Sequence, residues 1–95
     1  MSVTPFSVSN EATLPPISSA ADLYRMGLAA STGSGGQALD YVTAHKWFNL
    51  AAMKGNKEAL AYRAELAREM TSADIAEAQR QARQWLLENE GGAHN

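Results

Sequence analysis

The chain has 95 residues and a mass of 10.2 kDa, which is enough for one small domain. Its formal net charge is −2, so no strong positive field favours nucleic acid or an anionic membrane. It contains no cysteine, which excludes a disulfide scaffold, a cysteine nucleophile and a cysteine-ligated metal. Alanine is its commonest residue and β-branched residues are few, a composition that favours closely packed helices over a sheet.

Residues 1–18 contain all three prolines and neither lysine nor arginine. Proline lacks a backbone donor and disfavours helix at the residue before it, so we predict a flexible N-terminal arm over 1–18. Alternatively, its apolar side chains would cover one edge of a small core: Phe6, Val8, Leu14 and Ile17. The arm lacks the basic and apolar regions of an export signal, and no apolar run reaches the roughly 20 residues of a membrane span. The expected location is the cytoplasm.

The first predicted helix extends from about Ala20 to Ser31. Ser19 is a favourable N-cap, and Asp22 three residues later makes a variant of the capping box. Small and apolar side chains then recur at three- and four-residue steps on one face: Leu23, Met26, Gly27 and Ala30. The glycine-rich run 32–36 ends the helix, because glycine adopts left-handed backbone without steric cost.

A second helix is predicted from the N-cap Asp40 to about Lys54. Its apolar stripe combines small and aromatic side chains: Ala44, Trp47, Phe48 and Ala51. Gly55 occupies the position of a left-handed C-terminal residue, and Asn56 is placed to cap the next helix directly. So short a connection predicts that the second and third helices are antiparallel neighbours.

Two further helices are predicted from residue 57 onward. The third extends over about 57–70, with apolar side chains on one side: Ala59, Tyr62, Leu66 and Met70. The fourth begins after the cap Thr71, carries Asp74 at its third position and ends before the glycines at 91–92. Its stripe is Ile75, Ala78, Ala82, Trp85 and Leu86. We therefore expect a helical domain over 19–90 and a disordered tail over 91–95.

The residues between 22 and 59 follow one pattern of small, aromatic and glycine positions. They are Met26-Gly27, Gly33, Gly35, Asp40-Tyr41-Val42, Ala44, Trp47-Phe48-Asn49-Leu50-Ala51-Ala52, Gly55 and Ala59. This pattern resembles the Sel-one-like repeat family, a subclass of tetratricopeptide-like helical repeats. The likeness covers residues 20–88 as one full repeat, a degenerate half repeat and a terminal helix. It implies an all-α fold, a short right-handed α-solenoid of two antiparallel helical hairpins built from four helices.

The resemblance also implies roles for individual residues. In the family, a small residue at the position of Gly27 lets the first helix approach the second, where Ala44 is also small, and the pair Trp47-Phe48 fills the space beside that contact. The choice of glycine is reasonable without the family, because glycine inside a helix costs about 1 kcal/mol and needs a packing reason. Ala30 replaces the usual tyrosine, which leaves a gap for the N-terminal apolar residues or a partner to fill.

No constellation of residues in the sequence indicates catalysis, a cofactor or a metal. The two histidines, His45 and His94, lack metal-ligand spacing, and His45 is expected on a half-exposed helix face. The run 32–36 lacks the lysine of a phosphate-binding loop, so it is interpreted as a loop between helices. Acidic side chains are expected to pair with arginines three residues on, at solvated faces: Glu65 with Arg68, and Glu77 with Arg80.

The remaining candidate site is a shallow groove along the first helix. In this architecture, side chains of that helix that point away from its own hairpin line such a groove. The predicted partner-binding residues are Tyr24, Leu28 and Ser31, with Arg25 at the border. Tyr24 and Leu28 are one turn apart, which suits an apolar side chain of a peptide or helix. The same residues would equally cover the N-terminal arm if the arm folds back onto them. If they instead bind a partner, we expect Tyr24→Ala to leave the stability of the fold nearly unchanged.

We therefore predict a non-enzymatic protein–protein interaction module, a small adaptor or regulator. Repeat arrays commonly need about three units to bury a continuous core, and this chain has fewer, so another protein or a second copy in a homodimer is expected to complete it. The resemblance points to bacterial signalling and assembly. The alternative is a self-associating scaffold whose groove is filled by its own N-terminal arm, and the weakest option is an enzyme accessory or small-ligand binder. Neither nucleic acid nor membrane is an expected partner.

Overall fold

A computed structural model of the protein describes residues 19–36 and 38–90. These residues form four α-helices and no strand, so the predicted all-α class with four helices is confirmed. The helices are α1 (Ala20–Thr32), α2 (Tyr41–Met53), α3 (Lys57–Ala67) and α4 (Ser72–Asn89). The predicted N-terminal arm at 1–18 and the predicted tail at 91–95 lie outside the described residues. None of the four helices is both long and apolar enough to cross a membrane.

Each helix begins with a short polar side chain that accepts a hydrogen bond from a backbone N–H of the first turn. Ser19 accepts from Asp22 at 3.1 Å, Asp40 from Thr43 at 3.2 Å, Asn56 from Ala59 at 2.7 Å and Thr71 from Asp74 at 3.0 Å. The first-turn N–H groups have no acceptor within the helix, so these caps set where each helix begins. All four predicted N-caps are confirmed.

The helix ends agree with the sequence at α1 and differ at α3. Gly33 has φ 71°, and its N–H donates to the carbonyl of Ala29 at 2.8 Å, a left-handed C-terminal residue as predicted. α3 ends at Ala67 rather than Met70. The backbone N–H groups of residues 68–70 donate to carbonyls three residues earlier, the tighter pattern of a 3₁₀ turn. The α-helix therefore ends here, before the chain continues into α4.

α2 is the central helix, and α1, α3 and α4 all pack extensively on it. Buried side chains from all four helices form the core: Leu23, Ala30, Ala44, Phe48, Leu50, Ala51, Ala59, Leu66 and Ala82. α3 and α4 each contact α2 more than they contact one another. Much of the core is alanine, and small side chains let helices approach closely, so α2 can serve three neighbours at once.

Two tryptophans join α2 to α4. The ring centroids of Trp47 and Trp85 are 6.1 Å apart with an interplanar angle of 82°, which is an edge-to-face contact. Both side chains are half-buried and pack against the core, as predicted for hydrophobic anchors. Beyond them, Lys54 Nζ lies 2.6 Å from the carboxylate of Glu90. The C-terminal third of α4 is therefore held against the middle and the C-terminal end of α2.

α1 and α2 approach closely at Gly27. A Cβ atom placed on Gly27 would lie 2.6 Å from Cδ1 and from Cε1 of Phe48, well inside van der Waals contact. Phe48 is fully buried, so any shift of its ring disturbs the side chains packed around it. The Phe48 ring is therefore the side chain that requires glycine at position 27, and the predicted contact between Gly27 and Ala44 stays a prediction.

Replacement of Gly27 by alanine tests this contact through the sign of its effect. Alanine is the better helix former by about 1 kcal/mol, so without a clash the Gly27→Ala variant would be more stable than the parent. We expect a loss of about 1–3 kcal/mol instead, because the Phe48 ring must move. The measurement is the free energy of unfolding from urea denaturation.

A matched control is Ala61→Gly at an exposed position of α3. That variant should lose only the helix-propensity difference of about 1 kcal/mol. If Gly27→Ala raised the free energy of unfolding by the same amount that Ala61→Gly lowers it, the close contact would not exist.

Candidate binding groove

α1 and α3 lie side by side over α2. At their N-terminal halves, the ring centroid of Tyr24 is 5.9 Å from that of Tyr62. Desolvation, followed by the charges of the neighbouring Tyr62 and Glu58, raises the pKa of Tyr24. At their C-terminal halves, Ser31 of α1 and Glu69 beyond α3 line one cavity. α1 and α3 therefore run in the same direction along α2.

That cavity is the candidate site, which we call the α1–α3 groove. It is open to solvent and has a volume of about 310 Å³. Its lining residues come from α1, α2, α3 and the turn after α3: Ser31, Phe48, Tyr62, Glu65, Leu66, Arg68 and Glu69. A second open depression on α3 continues from it and shares Tyr62, Glu65 and Arg68. The surface available to a partner thus extends along α3.

An aromatic stack forms the apolar part of the groove. The rings of Phe48 and Tyr62 are nearly parallel, with an interplanar angle of 16° and centroids 5.4 Å apart. Phe48 is fully buried, whereas Tyr62 is 43% exposed. The buried ring therefore supports the exposed one, and Tyr62 presents a fixed aromatic face to whatever enters.

Charged side chains form the rest of the lining. Glu65 and Glu69 are exposed one turn apart, and within 19–36 and 38–90 neither belongs to an ion pair. The predicted pair of Glu65 with Arg68 is therefore wrong for these residues. The predicted pair of Glu77 with Arg80 is confirmed, since Arg80 Nε and Nη2 donate to the Glu77 carboxylate at 2.9 and 2.7 Å. The groove keeps two carboxylates available.

The four predicted partner-binding residues occupy different environments. Ser31 lines the groove, and its hydroxyl donates to the carbonyl of Leu28 at 3.0 Å. Leu28 is half-buried and packs against the core. Tyr24 is half-buried, with its ring centroid 6.0 Å from that of Phe48. Arg25 has a side chain 67% exposed and pairs with Asp22 on its own helix, away from the groove. Their role in binding stays a prediction.

Sequence reasoning missed the half of the groove that α3 contributes. Tyr62 was assigned to an apolar stripe and Glu65 to a solvated ion pair, yet both line the cavity with Glu69. A usable signal was present, because Tyr62, Glu65 and Glu69 follow one another at spacings of three and four residues. That spacing places an aromatic ring and two carboxylates on one face of a helix.

His45 corrects another expectation. It was placed on a half-exposed face of the second helix, but it is only 3% exposed. Arg63 on α3 donates from Nη1 to Asn49 Oδ1 at 2.6 Å, one turn beyond His45, so α3 covers this face of α2. Nδ1 of His45 has no hydrogen-bond partner among the residues that the structure describes. Burial, together with the positive charge of Arg63, lowers the pKa of His45 below 6.5.

Within the described part of the chain, no three or more histidine, aspartate or glutamate side chains lie close enough together to hold a metal ion. Comparisons of the chain with protein-family models, with curated proteins and with solved structures find no match. The resemblance to Sel-one-like repeats therefore rests on the residues that carry it and stays a prediction.

The packing of Tyr24 changes the expected result of its replacement. Because its ring contacts both Phe48 and Tyr62, Tyr24→Ala should lower the free energy of unfolding by about 1–3 kcal/mol, not leave it unchanged. Tyr24→Phe is the matched control, since it keeps the ring and should stay within about 0.5 kcal/mol of the parent. Chemical denaturation measures both; equal stability of the two variants would contradict the aromatic cluster.

His45 predicts a pH dependence of stability with a definite sign. Well above pH 6.5 the imidazole is neutral in both the folded and the unfolded chain and contributes little slope. Below 6.5 the unfolded chain binds a proton that the buried imidazole resists, so the free energy of unfolding should fall as the pH is lowered. Urea denaturation at pH 7.5, 6.5 and 5.5 measures this. His45→Leu should flatten the dependence over the same interval; an unchanged slope would refute the assignment.

Proposed function

We propose that this chain is a non-enzymatic protein–protein interaction module, a small adaptor or regulator that holds a partner protein in the α1–α3 groove. The observation that carries the proposal is the composition of that groove, in which a supported, exposed aromatic ring stands beside carboxylates without ion-pair partners among the described residues. An open groove built between parallel helices is the usual recognition surface of helical repeats, which supports placing the chain with tetratricopeptide-like proteins of the Sel-one-like kind.

The lining indicates the chemistry of the partner. Tyr62 offers an apolar face, so the partner should supply an aliphatic or aromatic side chain to cover it. Glu65 and Glu69 favour a lysine or arginine about one helical turn away from that side chain. An amphipathic helix with an apolar anchor and a neighbouring cation satisfies both requirements.

The exposure of the charged residues supports binding over catalysis. General acid–base catalysis relies on groups whose pKa is shifted by burial or by a specific neighbour. Glu65, Arg68 and Glu69 are exposed to water, where their most direct contribution is to pair with charges on a partner. The brevity of the array supports the same function, because a partner would cover surface that further repeats cover in longer arrays.

A photo-crosslinking amino acid at position 62, in the full chain expressed in its native cell, tests the proposal. We expect a discrete cross-linked product at this position and none when the same amino acid replaces Met53, which is exposed on α2 and does not line the groove. Tyr62 is partly exposed, so the substitution leaves the buried Phe48 ring in place. Mass spectrometry identifies the product.

Charge reversal then separates specific binding from chance contact. Glu69→Lys should reduce the cross-linked product at position 62 by roughly tenfold, because it places like charge against the partner's cation. Glu88→Lys on α4 makes the same change in net charge outside the groove and should leave the product unchanged. Equal yields from both variants, or no product from position 62, would refute the groove as a binding site.

A further inference from the structure

The exposed face of α4 carries a stripe of residues that do not belong to the hydrophobic core of the chain. Four exposed positions share this face because they recur at steps of four, three and four residues: Ala76, Arg80, Arg83 and Leu87. Leu87 is 64% exposed, more than any other large apolar side chain in the described residues. Burial of a leucine side chain from water is favourable, so this position is suited to a contact outside the chain's own core.

The two arginines of this stripe are not equivalent. Arg80 is engaged, since both its Nε and Nη2 donate to Glu77. Arg83 makes no ion pair within the described ranges, and it lies one turn before Leu87. α4 thus presents an exposed apolar anchor with an available cation one helical turn away.

These features complement the α1–α3 groove. The groove offers an aromatic face at Tyr62 and carboxylates at Glu65 and Glu69, whereas α4 offers an apolar side chain and a guanidinium at Arg83. Arginine pairs well with carboxylates because its planar fork of donors matches their geometry. The apolar side chain and the guanidinium of α4 can therefore pair with the aromatic face and the two carboxylates of the groove, whose lining also contains Arg68.

We infer that a second copy of this chain occupies the α1–α3 groove, with Leu87 of its α4 against Tyr62 and Arg83 between Glu65 and Glu69. The inference rests on the proposed function, because it names the occupant of the same groove. Within one copy, α4 packs on α2 through Trp47, whereas the groove lies over Phe48. The two surfaces belong to different faces of the molecule, so the contact is head-to-tail and leaves a free groove and a free α4 at the ends of each assembly.

The first test is the molar mass of the full chain by sedimentation equilibrium over a wide range of concentrations. We expect the average mass to rise continuously beyond that of a dimer, as an open head-to-tail contact requires. Leu87→Gln and Arg83→Glu, both at exposed positions, should each weaken self-association at least tenfold while the far-ultraviolet circular dichroism spectrum and melting temperature stay unchanged. A monomer at every concentration, or a closed dimer unaffected by these variants, overturns the inference.

The decisive test mixes two variants that are disabled on opposite surfaces. One carries Leu87→Gln and Arg83→Glu and keeps an intact groove; the other carries Glu65→Arg and Glu69→Arg and keeps an intact α4. Each alone should be monomeric, and an equimolar mixture should form a dimer of one copy each, because one groove and one α4 remain. A mixture that stays monomeric overturns the head-to-tail arrangement.

Cross-linking of the purified chain from position 62 identifies the occupant directly. We expect the product to join position 62 to the tryptic peptide of a second copy that contains Leu87. A product within residues 1–18 of the same copy would mean that the N-terminal segment fills the groove, and the inference would be wrong. A monomeric purified chain whose position 62 cross-links a different protein in cells would overturn this inference and leave the proposed function standing.

Discussion

The close approach of Gly27 to the Phe48 ring is the contact on which the rest of the architecture depends. A side chain at Gly27 would meet the ring at 2.6 Å, so only glycine lets α1 lie this near to α2. The same ring stacks on Tyr62 from its other neighbour, α3. One buried aromatic side chain therefore sets the distance between α1 and α2 and supports the exposed ring in the groove between α1 and α3.

This arrangement leaves one face of a small helical chain uncovered. α2 supplies buried residues to three neighbours, and two of these residues, Ala44 and Ala51, are small, so α3 packs on α2 and needs no separate core of its own. One face of α3 then stays uncovered, and Tyr62, Glu65 and Glu69 lie along it. In a longer helical repeat the next unit would cover such a face. Here the face is exposed, and under the proposed function a partner or the α4 of a second copy would cover it.

The candidate site was only half predictable from the sequence. The position of Ser31 at the groove follows from the helical period of α1, which places it away from the first hairpin. The contribution of α3 could not be predicted in this way. The helical period of α3 does not reveal that neighbouring helices cover Leu66 while Tyr62 stays partly exposed. Tyr24 lies between these cases, since its position on the right face was predictable but its packing against two other rings was not.

Sequence alone determined where all four helices begin and where α1 ends, because caps and left-handed glycines act within a few residues of one another. Ser19, Asp40, Asn56 and Thr71 each satisfy a backbone N–H three residues away, and no distant contact is needed for that. Only the tertiary structure decided that His45 is buried, because α3 arrives on a face of α2 that the apolar stripe leaves out. The physical reason is range: capping depends on neighbours along the chain, whereas burial depends on which helix packs against which.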